Sequence, residues 1–269
     1  MSSTRVAGLA TAPRTGSPPR AGGPGLIAGT AAVYAGQLSR ARAARAPLLF
    51  VATLQSLGIL VLVRGFVDRS NELTRQGIVA GATVLVVAFV ALNLLAQRFG
   101  ALRAGRGFDY YAALPVPPAA VVLGTAASYA TFTVPGAAVT AVAGALLYGL
   151  PLGHLWFVFP AVVFAGAALA GLGAFLGLVL PRPELATLAG QLGMTIVLFL
   201  GIYPAHRLPG ALQAVRAAVP STYAVDALAG SFLRSPDWVG IGGHLAGCAA
   251  VAVVALTAAT WAFRRATLR

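Results

Sequence analysis

Long uncharged stretches separate the charged residues of this chain, and their lengths restrict what it can become. Between Arg45 and Arg64 lie 18 uncharged residues, Ala46 to Val63, and between Arg75 and Arg98 lie 22, Gln76 to Gln97. Asp109 and Arg182 enclose a further 72. A helix needs about 20 apolar residues to cross a bilayer, so each of the first two gaps fits one span. Gly149, Pro151 and Gly153 punctuate the third gap with a turn, dividing it into spans near 119–148 and 155–180. Leu185 to His206 supplies a fifth span and Val239 to Phe263 a sixth. Only 9% of the residues are charged and mean hydropathy is +0.84; soluble domains average about 25% charged. The pattern predicts an all-α integral membrane protein with six transmembrane helices and excludes a soluble globular domain.

All 19 basic residues are Arg, and six acids leave a formal net charge of +13. On a soluble chain such a balance points to nucleic acid. Here the charges fall between apolar runs, so membrane lipids are the expected partner and nucleic acid is not. With the amino terminus inside, 13 Arg fall on the cytoplasmic side and 6 outside; the positive-inside rule then puts both termini in the cytoplasm. Residues 1–30, rich in Pro, Gly, Ser and Thr, read as a disordered cytoplasmic tail. Residues 31–46 carry Val33, Tyr34 and Leu38 with Arg40, Arg42 and Arg45, which suits a short helix along the inner leaflet. A basic stop that only fixes topology fits the same residues. The membrane domain proper covers 47–266. The all-Arg basic set fits a GC-rich genome and a bacterial plasma membrane.

The missing Lys rules out a Walker A site and Schiff-base chemistry. Cys248 is the single cysteine, set among small residues, and reads as a buried inert thiol. No acid lies near the middle of any predicted span, although ion-coupled carriers usually need acids or unwound helices there. No H-E-x-x-H or G-x-S-x-G occurs, and no catalytic residue is expected. His154, His206 and His244 fall on the outer side at spacings that match no zinc pattern, so no metal and no cofactor are assigned to this chain. The amides Gln55, Asn93 and Gln191 and hydroxyls such as Thr125, Ser128, Thr131, Thr133 and Thr195 serve either to join helices or to line a path. Gly173-Ala174-Phe175-Leu176-Gly177 is a G-x-x-x-G that indicates close helix packing. Pro135 and Pro160 are expected to kink spans three and four.

Two loops are informative. From Gln97 to Pro117, Arg98, Arg103 and Arg106 lie at roughly helical intervals with Phe99, Leu102 and Leu114 between them. A short rigid cytoplasmic helix there suits docking into another protein's groove; a basic loop contacting lipid is the plainer reading. The external segment, about 204–238, places Leu208, Leu212, Val215 and Val219 on one helical face. A second helix follows from Ser221, an N-cap candidate, through Tyr223, Asp226, Leu228 and Phe232. Two such helices imply a re-entrant element, with Asp226 expected to be solvated at the interface rather than paired with Arg216 or Arg234.

The six spans, the Arg-x-x-Gly…Leu-Pro-Val stretch before span three and the Leu-Pro…Val-Pro-Ser-Thr-Tyr-Ala-Val-Asp-Ala segment before span six resemble the permease subunits of ABC-2 type transporters. The resemblance covers about 40–265. It departs from the family's usual pattern where Gly107-Phe108-Asp109 stands in the coupling loop and where Leu228, Ala229 and Gly230 follow Asp226-Ala227. The resemblance implies a dimer with a second copy or a homologous permease and a separate cytoplasmic ATPase dimer that holds ATP and Mg. It also implies export of a lipophilic or amphipathic substrate such as a drug, antibiotic or lipid. Arg98, Arg103, Arg106, Asp109 and Tyr110 then form the ATPase-coupling interface. Phe89, Asn93, Gln191, Met194, Thr195 and Phe199 become substrate-path candidates, and Pro220, Tyr223 and Asp226 mark the external re-entrant segment. Other classes compatible with the residues are a membrane anchor that recruits a partner through the basic loop, and a lipid-modifying enzyme using Asp226 with an outer histidine.

Overall fold

The computed structural model describes residues 25–65, 71–105, 111, 116–202, 216 and 219–267, with the backbone alone at 40–45, 201 and 202. Among these residues every regular element is helical. Six helices are long and apolar enough to cross a membrane. Helix α1 runs Leu26–Arg64. The second span is α2 (Glu72–Val87), a π-helical segment (Ala88–Leu94) and α3 (Leu95–Ala104) in one unbroken rod. Helices α4 (Pro118–Tyr148), α5 (Val158–Val179) and α6 (Pro183–Ile202) follow, then the shorter α7 (Pro220–Ser231) and finally α8 (Trp238–Thr267).

Helix ends follow local chemistry. Asn71 accepts a hydrogen bond from the Thr74 N–H at 3.2 Å and caps α2, with Glu72 in the first turn against the helix dipole. Pro118 and Pro220 occupy first-turn positions, where a missing N–H costs nothing. Helix α4 ends on Gly149 at φ 67°, a left-handed conformation that glycine adopts without Cβ strain. Asp237 accepts from the Val239 N–H at 3.1 Å at the start of α8.

Residues 31–46, expected as a separate surface helix, are continuous with the first span. Helix α1 holds 39 residues, or about 58 Å at 1.5 Å each, and it packs along α4. A Cβ on Gly29 would meet Ala120, one on Gly124 would meet Val33, and one on Gly136 would meet Leu49 and Thr53. Tyr34 donates to Thr131 Oγ1 at 3.3 Å, and Tyr148 donates to the Leu60 carbonyl at 2.9 Å. The helix starts at Leu26, inside the stretch read as tail. Pro160 falls in the first turn of α5 behind a 3₁₀ turn at Leu155–Phe157, so it removes no helical hydrogen bond there. Pro135 lies within α4, which continues to Tyr148.

The second span occupies the centre: 89% of its most apolar window is buried, against 17% for the first span and 22% for the fifth. Lipid tails are as apolar as leucine, so close backbone approach and dispersion must hold helices together there. Glycines provide that approach. Gly173 of α5 lies against the Ala91 and Leu92 carbonyls, and Gly177 against the Ala96 carbonyl and Phe99. The G-x-x-x-G of the fourth span is thus a packing seam for the second. From the other side Gly190 and Gly193 of α6 seat Asn93 and Leu92.

Candidate functional site

The central span carries the arrangement of interest from one end of the bundle to the other. Its π segment widens the helix over Ala88–Leu94, and such segments concentrate at functional positions. Phe89 and Asn93 both fall within it. Asn93 is buried and accepts a hydrogen bond from Gln97 Nε2 at 3.0 Å. A Cβ on Gly190 would stand 2.8 Å from Asn93 Oδ1, so α6 presses directly on this amide pair.

Toward the arginine-rich end, Gln97 to Ala104 are the last turns of the second span rather than part of a detached helix. Arg98 is half-buried, with its Nε enclosed and without a hydrogen bond among the described residues. Arg103 reaches across and donates to the Leu178 carbonyl. That carbonyl belongs to the last turn of α5, where intrahelical partners run out. Arg103 therefore ties the end of the second span to the end of the fourth. Phe99 and Phe263 meet edge to face at 6.3 Å beside it. Arg106, Asp109 and Tyr110 lie outside the described residues.

At the opposite end α7 inserts among α2, α5 and α8. Its N-cap is Val219 and its first residue Pro220, which corrects the assignment of Ser221 as cap. Ser221 sits inside the first turn, buried. No side chain caps the helix; the Thr222 hydroxyl instead points back, within 2.6 Å of both the Arg216 and the Val219 carbonyls, to which it donates. Asp226 is paired with Arg216, which overturns the expectation of a solvated carboxylate. Arg216 is itself buried, and a buried cation needs a counter-charge. Burial pushes the Asp226 carboxyl up from its ordinary value, while Arg216 and His244 hold it back. Tyr223 is half-buried, its ring 6.5 Å from that of His244. The Leu208–Val215 helix and His206 lie outside the described residues. His154 packs on Trp238 at 5.4 Å, and Trp238 stacks on Trp156 at 5.7 Å. Aromatic groups of this kind gather at membrane interfaces.

The six path candidates do not share one wall. Asn93 turns into the bundle, and Phe89 and Met194 pack partly buried against the core. Gln191, Thr195 and Phe199 face outward on α6. They stand among exposed Leu185, Leu188, Leu192 and Ile196, a stripe that no other described helix covers. Gln55, by sequence one more polar group within a span, is exposed on α1 beside Val51 and Leu54; its polarity in an apolar run is the signal. The π segment leaves no signal of its own, since apart from Asn93 its residues are as apolar as those around it.

Six spans, a buried central helix ending in arginines and an inserted helix at the far end define a multi-pass membrane protein. The ABC-2 type transporter family model matches residues 33–233, and the chain belongs to that family. Its membrane domain is the transport component, and ATP hydrolysis resides in a separate ATPase subunit. A comparison with curated proteins gives no match.

Proposed function

We propose that this chain is one permease half of an ATP-driven exporter in a bacterial plasma membrane, moving lipophilic or amphipathic small molecules outward. A cytoplasmic ABC ATPase dimer, carrying ATP and Mg, powers it from the arginine-rich end, and both termini lie on that side. A second copy or a homologous permease completes the path. The observation that carries this reading is the outward face of α6. Leu185, Leu188, Leu192, Ile196 and Phe199 form one apolar stripe, and Gln191 and Thr195 interrupt it. Thr195 donates to the Gln191 carbonyl at 2.9 Å, but the Gln191 amide faces outward. A polar amide facing hydrocarbon alone costs free energy, whereas a facing permease or an amphipathic substrate supplies partners. Closure of the ATPase pair would push on Arg98 and Arg103. The rod of the second span would carry that push to Asn93, which α6 touches.

The test is co-reconstitution with a cognate ABC ATPase and measurement of substrate-stimulated ATP hydrolysis. Gln191→Leu should reduce stimulation severalfold while leaving basal hydrolysis and expression intact. Cysteines at Leu188 or Leu192 should form cross-links between permease halves. Unchanged stimulation together with no cross-linking would overturn the reading.

A further inference from the structure

At the arginine-rich end of α8 the surface carries a basic, aromatic feature next to Arg103. Trp261 is 52% exposed and Arg265, one helical turn on, holds its guanidinium 4.1 Å from the indole centroid. This pair separates two half-open clefts. One, of about 400 Å³, is lined by Arg103, Leu178, Val179, Trp261, Ala262 and Arg265. The other, of about 460 Å³, is lined by Ala119, Leu123, Leu256, Trp261, Arg264 and Arg265, with Thr257 and Thr260.

We propose that these clefts bind one anionic phospholipid, its phosphate held by Arg264 and Arg265 and its acyl chains lying along the apolar walls on either side of Trp261.

Charge and chemistry select that occupant. The one ion pair among the described residues joins Arg216 and Asp226 at the far end, so neither Arg264 nor Arg265 has a carboxylate within reach there. Thr257 and Thr260 donate to backbone carbonyls of their own helix, leaving the arginines as the donors facing the clefts. Guanidinium groups recognise phosphate oxygens with paired N–H bonds, and stacking on Trp261 holds Arg265 in place for that task. Leu256, two turns before Arg264, and Leu123, in the second turn of α4, lie toward the span interior, where acyl chains belong, while Leu178 and Val179 close the last turn of α5. A free phosphate would use the arginines and leave the apolar walls bare.

The full chain with Trp156→Phe and Trp238→Phe retains Trp261 as its one tryptophan of three. It is placed in phosphatidylcholine vesicles containing a minor fraction of brominated phosphatidylglycerol or, in parallel, brominated phosphatidylcholine. The anionic lipid should quench Trp261 with about fivefold preference for each arginine engaged, and Arg264→Gln with Arg265→Gln should abolish the preference. Equal quenching by both lipids overturns the proposal. So does a preference that survives the double substitution, or one removed by excess soluble glycerol phosphate, which would mean a free anion site. A double variant that keeps its lipid preference but loses the ATPase would assign the surface to the protein partner and overturn it likewise. Native mass spectrometry of the unsubstituted chain tests the same site without the tryptophan changes: one phosphatidylglycerol retained per chain is expected, and none would refute the site.

Discussion

The first and second spans have similar mean hydropathies, 2.2 and 2.6, yet 17% of one window and 89% of the other are buried. The fifth, at 1.4 and 22% buried, sides with the first. Apolarity places a helix in the bilayer but does not say whether lipid, protein or substrate will face it. What distinguishes the second span is its neighbours' glycines, which bring backbones against it from α5 and α6. The fifth span gives glycines to that seam on one side and shows a leucine stripe on the other. One helix is a held rod; the other is half seam and half open face.

The sharpest way to break this contrast is to fill the seam. A side chain at Gly177 points at the Ala96 carbonyl, a backbone atom that cannot yield. Overpacking ordinarily costs about 1–3 kcal/mol and occasionally more, and Gly177→Leu should exceed that range. Loss of the monodisperse protein on size exclusion in mild detergent is expected. Leu192→Ala, on the open face, should change thermal stability of the isolated chain by less than about 0.5 kcal/mol while weakening association between permease halves. If both variants behave alike, the two faces are not different in kind.

A smaller effect is expected where the rod ends. Arg103→Glu puts a carboxylate against the Leu178 carbonyl and should lower transport-linked ATP hydrolysis by about 5–150-fold, the usual span of coupling between sites. Arg103→Gln keeps a donor for that carbonyl. Recovery of coupling in the glutamine variant would make the tie between spans the important part, and continued loss would make it the charge.

The number and approximate limits of the spans were legible because charge gaps and Pro-Gly punctuation report directly on membrane crossing. So was the packing role of Gly173 and Gly177, since G-x-x-x-G states its own mechanism. The division of α6 into seam and stripe was not. Gly190, Gln191, Leu192 and Gly193 are consecutive, and only the neighbours decide which of them face in. The same limit separated Asn93, buried on Gln97, from Gln191, which faces outward. Residues 31–46 differ for another reason: helix α1 contains Pro47 without ending there, and it packs on α4 both before that point, at Gly29 and Val33, and after it, at Leu49.

The mildest test concerns the far end, where α7 packs on the second span and Arg216 and Asp226 pair. Asp226→Asn puts a neutral group of the same shape beside Arg216; because the folded chain favours the neutral form of Asp226, the substitution should leave stability near pH 7 almost unchanged. The pH dependence has a definite sign. Burial is the largest influence on Asp226 and raises its folded-state value above 3.8 despite Arg216. The folded chain therefore holds this proton more tightly than the unfolded chain does, and stability falls as pH rises from near 3.8 through the raised value. Above that window the contribution is flat. Unfolding followed by tryptophan emission across acidic pH should show a shallow downward slope that Asp226→Asn removes. An upward slope would mean that Arg216 outweighs burial and that the α7 end is held by the ion pair more than by its packing against the second span.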